Sequence, residues 1–116
     1  MRKEYVYVKT GRSITRVDMD AIIYIEKDDR EAILVTADEE IRWYCTMKQM
    51  KELVDDRFIK CHRSYLVNMD KIIKMEHQNI WLEGGYNIIF GRESFRKAMK
   101  IFSDYISAKN NRKNDD

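Results

Sequence analysis

The sequence predicts a mostly β fold in which antiparallel sheets are layered and two helices pack against them. Short segments rich in Val, Ile and Tyr recur as far as Phe90, and Gly, Asp and Asn separate them. A Gly-Gly pair joins two of these segments, and both segments carry apolar residues on each face. After residue 94 the apolar positions change to helical spacing. These observations together indicate layers of strands with a helix laid against them.

Five strands are predicted before residue 46. They cover residues 4–8, 13–17, 21–26, 31–37 and 41–45. The third and fourth form a hairpin whose tip is charged, and Gly11 begins the turn between the first two. Thr46 and Gln49 then fit a capping box, and Met47, Met50 and Leu53 follow at helical spacing, so a short helix is expected near 46–54.

The second half is predicted to resume with strands at Phe58 and to include a hairpin over residues 79–90. With Gly84-Gly85 as a two-residue turn, each strand presents apolar side chains on both faces. One face carries Trp81, Tyr86, Ile88 and Phe90, and the other carries Ile80, Leu82 and Ile89. The sheet is therefore expected to be covered on both sides.

The last element is predicted to be an amphipathic helix near 94–107 that docks on a sheet. Its apolar stripe consists of Phe95, Ala98, Met99, Phe102, Tyr105 and Ile106. Residues 108–116 have no apolar period and are expected to form a flexible polar tail. The chain is thus predicted to be one domain over residues 1–107 followed by that tail.

Composition agrees with a single folded domain whose surface is densely charged. The 116 residues are 44% hydrophobic and 36% charged, and no apolar run approaches the ~20 residues that cross a bilayer. Residues 1–56 carry 10 basic and 13 acidic groups (net −3), whereas residues 57–116 carry 12 and 7 (net +5). The basic second half points mildly to a polyanionic partner. Two cysteines and no secretion signal indicate reduced thiols in the cytoplasm.

Metal binding, cofactor binding and catalysis are not predicted. Cys61 and His62 are adjacent, so on a strand their side chains leave opposite faces, and neither Cys-x-x-Cys nor His-x-x-x-His is present. The sequence also lacks a nucleophile elbow, a phosphate-binding loop and a dinucleotide fingerprint. His62 near Ser64 has no placed third partner, so a hydrogen-bonded structural histidine is favoured over a catalytic pair.

Two segments resemble one known family. FIKCHRSYLVNMDKI, residues 58–72, and the later GRESFRKAM, residues 91–99, resemble the LytTR DNA-binding domain of bacterial transcription regulators. The matching positions are Phe58, His62, Ser64, Val67, Asn68 and Ile72, with Gly91-Arg92 and Arg96-Lys97 as a weaker second part. The resemblance runs from about residue 4 to residue 106. It implies an elongated, mostly antiparallel fold of about ten strands in three sheets.

The resemblance further implies that loops, instead of a recognition helix, enter successive major grooves of duplex DNA. By position, Arg63 and Arg92 correspond to base-contacting residues of the family. A third family contact falls in the hairpin loop near residues 28–30, where this sequence departs in length and chemistry, and Arg30 is the candidate there. His62, Lys60, Ser64, Arg96 and Lys97 are expected to contact the DNA backbone or to orient the loops.

The residue types suit those roles. The rigid guanidinium fork of Arg63, at a turn between two strands, matches the O6 and N7 acceptors of guanine, although an ordinary exposed turn arginine is the alternative. Arg92, expected in the loop just before the last helix, would oppose the helix dipole unless a phosphate is bound there. His62 is favoured as a residue that orients the loop through a ring hydrogen bond. Nearby lysines would attract phosphates without reading sequence.

The predicted partner is double-stranded DNA, on repeated sites and with a possible homodimer on the DNA. Related regulators commonly carry a phosphoacceptor receiver, and a separate signalling partner would take its place here. The main alternative is a protein-interaction module whose exposed Tyr and Trp residues meet another protein. A single-strand RNA binder is a third reading, but no strand interleaves basic and aromatic residues as a stacking platform needs.

Overall fold

The chain folds into ten strands and two α-helices within the residues that the structure describes. The structure is a computed structural model that describes the backbone of residues 2–62 and 64–114 and side chains as far as residue 110. The strands are Tyr5–Thr10 (β1), Ser13–Asp18 (β2), Tyr24–Asp28 (β3), Glu31–Val35 (β4), Glu40–Tyr44 (β5), Phe58–His62 (β6), Tyr65–Asn68 (β7), Ile72–Glu76 (β8), Asn79–Leu82 (β9) and Tyr86–Ile89 (β10). The α-helices are Met47–Leu53 (α1) and Arg92–Asn114 (α2).

These strands form three antiparallel sheets, as the resemblance implied. The central sheet has five strands in the order β5-β4-β3-β7-β6, and it lies between the β1-β2 hairpin and a three-stranded sheet of order β10-β9-β8. The longest dimension of the molecule is 46 Å, against 36 and 25 Å for the other two. The predicted elongated, layered, mostly β fold is confirmed.

Each face of the central sheet covers its own hydrophobic core. On one face, Ile25 and Leu34 pack with Val6 and Val8 of β1 and with Met50 of α1. On the other face the core contains Ile59, Cys61, Val67, Ile80, Leu82, Phe90 and Ala98. The alternation of a strand sends successive side chains to opposite faces, so one five-stranded sheet can support both layers.

Helix α1 begins where the capping box predicted. The backbone amide of Gln49 donates to Thr46 Oγ1 at 3.1 Å, and the backbone amide of Thr46 donates to Gln49 Oε1 at 2.9 Å. These two bonds satisfy backbone donors that have no partner within the helix. Met50 then lies fully buried in the first core.

The β9-β10 hairpin corrects the predicted register. Tyr86 pairs with Leu82 and Ile88 pairs with Ile80, so the connection has three residues, 83–85, and not two. A shift of one residue moves every side chain to the other face. Ile80, Leu82, Tyr86 and Ile88 therefore share the inner face, while Trp81 and Ile89 face outward, with Ile89 70% exposed. The prediction that this hairpin is covered on both sides is wrong.

Helix α2 is longer than predicted at both ends. It begins at Arg92 and continues to Asn114, whereas the expected span was 94–107. Residues 108–114, expected to belong to a flexible polar tail, continue the helix, and Lys109 forms an ion pair with Asp70. This ion pair holds the polar end of α2, which has no apolar stripe, against the rest of the fold. Flexibility of this segment stays a prediction.

No helix within the described residues has both the length and the apolar character needed to cross a membrane.

Candidate nucleic-acid interface

Strand pairing places two of the predicted loops side by side at one end of the central sheet. Strand β3 pairs with β4 up to Asp28 and Glu31, and its other edge pairs with β7 as far as Glu26 and Tyr65. The Lys27 amide also donates to the Ser64 carbonyl oxygen at 2.6 Å. The β3-β4 turn and the β6-β7 turn are therefore neighbours. We call this end of the sheet, with residues 28–31, 62, 64 and 65, the loop end.

The β6-β7 turn is shaped by an irregularity in β6. Lys60 pairs with Leu66 and His62 pairs with Tyr65, so the register shifts at Cys61. A bulge of this kind twists the strand and redirects its side chains. Cys61 is buried, whereas Lys60 and His62 are exposed. Arg63, the principal predicted base contact, lies outside the described residues, and Ser64 beside it is half-buried.

His62 is positioned by aromatic neighbours. Its ring centroid lies 6.1 Å from that of Phe90 and 6.3 Å from that of Tyr65, and the latter two rings meet edge to face at 5.8 Å. Among the described residues the imidazole has no hydrogen-bond partner, and the ring hydrogen bond expected from the sequence stays a prediction. Packing against Phe90 and Tyr65 therefore orients the side chain next to the turn.

Tyr65 is fixed in turn by β3. Its hydroxyl donates to Glu26 Oε2 at 3.1 Å. Burial raises the pKa of Tyr65, and the nearby Glu26 carboxylate adds to the effect, bringing it to about 12. The phenol stays protonated at neutral pH and keeps donating this bond. Sequence reasoning missed the supporting role of Tyr65 and Phe90. The available signal was an aromatic residue next to Ser64 and another next to Gly91.

The start of helix α2 adjoins the same turn. A shallow cleft of about 300 Å³ is lined by Lys60, Cys61, His62, Ser94 and Lys97. The helix begins with Arg92, and the Phe95 amide donates to the Gly91 carbonyl oxygen at 2.9 Å. Arg92 is thus the first helical residue and not the last loop residue, as the sequence had suggested. Arg92, Arg96 and Lys97 are all exposed.

Predicted site residues from two separate parts of the chain therefore line this cleft. Lys60 and His62 come from β6, and Lys97 comes from the first turns of α2, so side chains more than thirty positions apart line one surface. Three cations, Arg92, Arg96 and Lys97, accompany the free amide groups of the helix start, which favour an anion. This side of the loop end suits the phosphate backbone of a nucleic acid.

Arg30 lies at the opposite side of the loop end. It is exposed in the β3-β4 turn, where Asp29 adopts a positive φ of 56°. Its surroundings are acidic, because Asp28 and Glu31 flank the turn. Arg42 of β5 partly neutralises them, with Nη1 3.7 Å from Asp28 Oδ2 and 3.9 Å from Glu31 Oε1. A phosphate would be repelled here more than at the α2 side.

Asn68 has a structural role. It is fully buried, and its Nδ2 donates to the Ile22 carbonyl oxygen at 2.8 Å. Its Oδ1 accepts from the Asp70 amide at 2.9 Å. The bond to Ile22 fixes the end of β7 to the segment just before β3, away from the loop end. Asn68 therefore matches the family pattern as a residue that stabilises the fold.

Neither cysteine contributes reactive chemistry. Both are buried and unlinked, and burial raises the pKa of the Cys61 thiol to about 12. Burial likewise raises the pKa of Cys45. In the part of the chain that the structure describes, no three His, Cys, Asp or Glu side chains converge on a point where they could hold a metal ion.

Comparison with known proteins gives a family for this chain. The LytTr DNA-binding domain matches residues 12–103, which is most of the sequence. The chain belongs to the LytTr DNA-binding domain family. This is a family of DNA-binding domains and not of enzymes.

The chain is similar to proteins of two bacterial species. "Accessory gene regulator protein A" of Staphylococcus aureus is 31% identical over 71 residues, which are 60% of this chain and 29% of that protein. "Transcriptional regulatory protein NatR" of Bacillus subtilis is 30% identical over 79 residues, covering 67% and 32%. The chain thus matches less than a third of the length of these relatives.

One solved structure shares the fold. A LytTr DNA-binding domain from Bacillus cereus superposes with a TM-score of 0.71 over 85% of this chain and 96% of that domain. The two sequences are 20% identical, so this likeness concerns the LytTr fold alone.

Proposed function

We propose that this LytTr domain binds duplex DNA in a sequence-specific manner and acts in the cytoplasm as a transcription regulator. The observation that carries the proposal is the arrangement at the loop end. The β3-β4 turn, the β6-β7 turn and the start of α2 come from distant parts of the sequence, yet pairing and packing hold them at one end of the molecule. Loops on a rigid sheet are a common way to present recognition side chains.

In this proposal the residues divide into three groups. Arg63, Arg92 and Arg30 contact base edges in the major groove, where an arginine fork pairs with guanine. Lys60, Arg96 and Lys97 contact phosphates, and His62 and Ser64 set the shape of the turn between them. Exposed cations beside the cleft, aromatic support of His62 and the fixed Ser64 backbone favour this division.

The dimensions suit contact with neighbouring grooves. One helical turn of B-DNA is about 34 Å, and the longest dimension of the chain is 46 Å. A single domain can therefore extend over one turn of DNA. Binding of two copies to repeated sites belongs to the same proposal. Control by a separate signalling partner also belongs to it, because the relatives are about three times as long as the segment they share with this chain.

The test begins with duplexes selected from a random pool by the purified chain. Affinities of Arg63→Ala and Lys74→Ala are then measured on the selected site and on single-base mismatches. Loss of a base contact costs about 1–3 kcal/mol at one position and removes discrimination there, so Arg63→Ala should bind match and mismatch alike. Lys97→Ala should instead weaken all sequences equally and reduce the salt dependence.

Lys74 is the matched control. It lies on the outer face of β8, where its Nζ is 5.4 Å from the centroid of the Trp81 ring, and it is not among the residues that line the cleft at the start of α2. Lys74→Ala should keep the discrimination of the parent chain. Equal losses on every sequence for Arg63→Ala would refute base reading by that residue. Failure to select any sequence from the pool would refute the proposed function as a whole.

A further inference from the structure

Strand β5 is an edge of the central sheet with backbone groups that no other strand uses. It pairs with β4 on one side, and no strand in the described residues pairs with its other side. The Cys45 amide donates to the Arg30 carbonyl and the Thr36 amide donates to the Glu39 carbonyl. Because antiparallel bonding alternates, residues 41 and 43 also bond to β4, and the N–H and C=O groups of Glu40, Arg42 and Tyr44 point away from it.

We propose that this edge pairs with the β5 edge of a second copy of the chain, in antiparallel orientation. The dyad of the pair passes at Ile41, so that Glu40 of each copy lies opposite Arg42 of the other. The outward backbone groups of Glu40 and Arg42 then exchange hydrogen bonds across the junction, as in any narrow antiparallel pair. The two central sheets become one continuous sheet of twice the width.

The charges on the strand select both the partner and the register. Charged side chains on an edge strand usually oppose pairing. Shifting one strand by two residues in one direction would place Arg42 opposite Arg42 of the second copy. Shifting it by two residues in the other direction would place Glu40 opposite Glu40. Of these three registers, only the one centred on Ile41 places opposite charges of β5 together, which it does twice, without also placing like charges opposite each other. Such self-complementarity is what two identical copies need for a symmetric contact.

The remaining side chains of the edge also fit a symmetric contact. Ile41 and Trp43 are half-buried and lie on the face that packs against the first core. Pairing would bring Ile41 of the two copies together and extend that apolar layer across the junction. Glu40, Arg42 and Tyr44 lie on the opposite face and are exposed, with Tyr44 78% exposed. The edge thus has an apolar face and a charged face, and each is complementary to the same face of a second copy.

This pairing has a consequence that rests on the proposed function. Tyr44 pairs with Glu31 beside the loop end, whereas Glu40 pairs with Val35 at the far end. Antiparallel joining of two β5 strands therefore points the two loop ends in opposite directions. One dimer would present its loop ends to two separate stretches of duplex, in contrast to two copies side by side on adjacent repeats.

Sedimentation velocity without DNA tests the pairing directly. The chain should show a monomer–dimer equilibrium between micromolar and submillimolar concentration. Glu40→Arg and Arg42→Glu each turn both attractive pairs into repulsive ones, so each should weaken dimerisation by about tenfold or more. The double variant Glu40→Arg/Arg42→Glu, and an equimolar mixture of the two single variants, should regain it, because opposite charges again face each other.

Lys48→Glu, which reverses an exposed charge on α1, should dimerise as the parent chain does. Circular dichroism of each variant checks folding, and if Arg42→Glu does not fold, Glu40→Arg and the double variant carry the test. A parent chain that stays monomeric would overturn the proposal, as would single variants that dimerise normally or a mixture that does not recover. Absence of DNA binding would instead refute the proposed function and leave the sedimentation result unchanged.

Discussion

At the scale of single residues, Asp70 joins three parts of the chain that are distant in sequence. Its carboxylate accepts from Arg2 at 2.9 Å and from the Tyr105 hydroxyl at 2.6 Å, and it forms an ion pair with Lys109. Burial alone would raise the pKa of Asp70, but hydrogen bonds from Lys109, Tyr105 and Arg2 outweigh it and lower the pKa to about 2. This carboxylate fixes the second half of α2 to the body of the fold.

Asp70→Asn should therefore reduce stability in a pH-dependent way. A carboxyl whose pKa is lower in the folded state contributes stability above its unfolded pKa of 3.8, and loses it as pH falls towards 2. We expect a loss of about 1 kcal/mol at pH 7, allowing for solvent screening, and a smaller loss at each step below pH 5. Urea unfolding from pH 7 to pH 3 measures this difference.

Asp104→Asn is the control for that series, because Asp104 is an exposed carboxylate on the same helix with one partner, Lys100, at 3.5 Å. Its effect should be within a few tenths of a kcal/mol at every pH. A loss for Asp70→Asn that is as large at pH 3 as at pH 7 would show that the charge of Asp70 is not what stabilises α2.

Residue-level prediction succeeded where the cause was local. Thr46 and Gln49 lie three positions apart, so their mutual capping is visible in the sequence and is confirmed. The neighbours of Arg30 were not visible, because Arg42 reaches Asp28 and Glu31 only through the pairing of β4 with β5. The contacts of Asp70 span 35 or more positions and leave no local signal. Roles of Arg63, Arg92 and the other site residues stay predictions.

At the scale of secondary-structure elements, the β9-β10 loop decides which face of its hairpin is buried. Gly84 and Gly85 have φ values of +86° and +82°, which side chains other than glycine rarely adopt. A Cβ at Gly84 would lie 3.1 Å from the Tyr86 ring and 3.2 Å from Ile23 Cδ1, whereas one at Gly85 would meet nothing within 4 Å. Both glycines adopt a positive φ, but only Gly84 lacks room for a side chain.

Gly84→Ala should destabilise the chain more than Gly85→Ala. Both variants place a side chain in the left-handed region, at a cost of about 1–2 kcal/mol. Gly84→Ala also crowds Tyr86 and Ile23 in the second core, and overpacking of this kind adds about 1 kcal/mol or more. Chemical denaturation of the two variants gives the difference. Equal losses would mean that the loop moves freely and that Gly84 is not packed against Ile23.

Element-level prediction was accurate for the existence and type of elements and failed at register. The five strands before residue 46, the short helix and the final helix followed from alternation and helical spacing, which are local properties. The total of about ten strands came from the resemblance to the LytTR family. The hairpin prediction assumed a two-residue turn because Gly84-Gly85 suits one, yet Glu83 joins the loop, and its amide donates to the Lys71 carbonyl oxygen. That bond connects β8 to the loop, and no pattern within the hairpin reveals it.

At the scale of the whole molecule, the central sheet keeps two ends apart. The loop end carries the β3-β4 and β6-β7 turns, and the far end carries residues 36–39 of the β4-β5 connection beside Glu83 and Gly84. The sequence could indicate which loops carry arginine, but not that they share an end, because that depends on the non-consecutive pairing of β3 with β7. The resemblance to the LytTR family implied only that these loops enter successive major grooves of DNA.

Amide hydrogen exchange of the chain, with and without its selected duplex, tests the central claim most directly. DNA bound at the loop end should slow exchange at residues 28–31, 60–62, 64–65 and 91–97 together, because strand pairing and the cleft at the start of α2 hold these segments next to one another. Exchange at residues 36–39 and 83–85, at the far end, should not change. Slowed exchange at the far end with none at residues 60–65 would contradict the account.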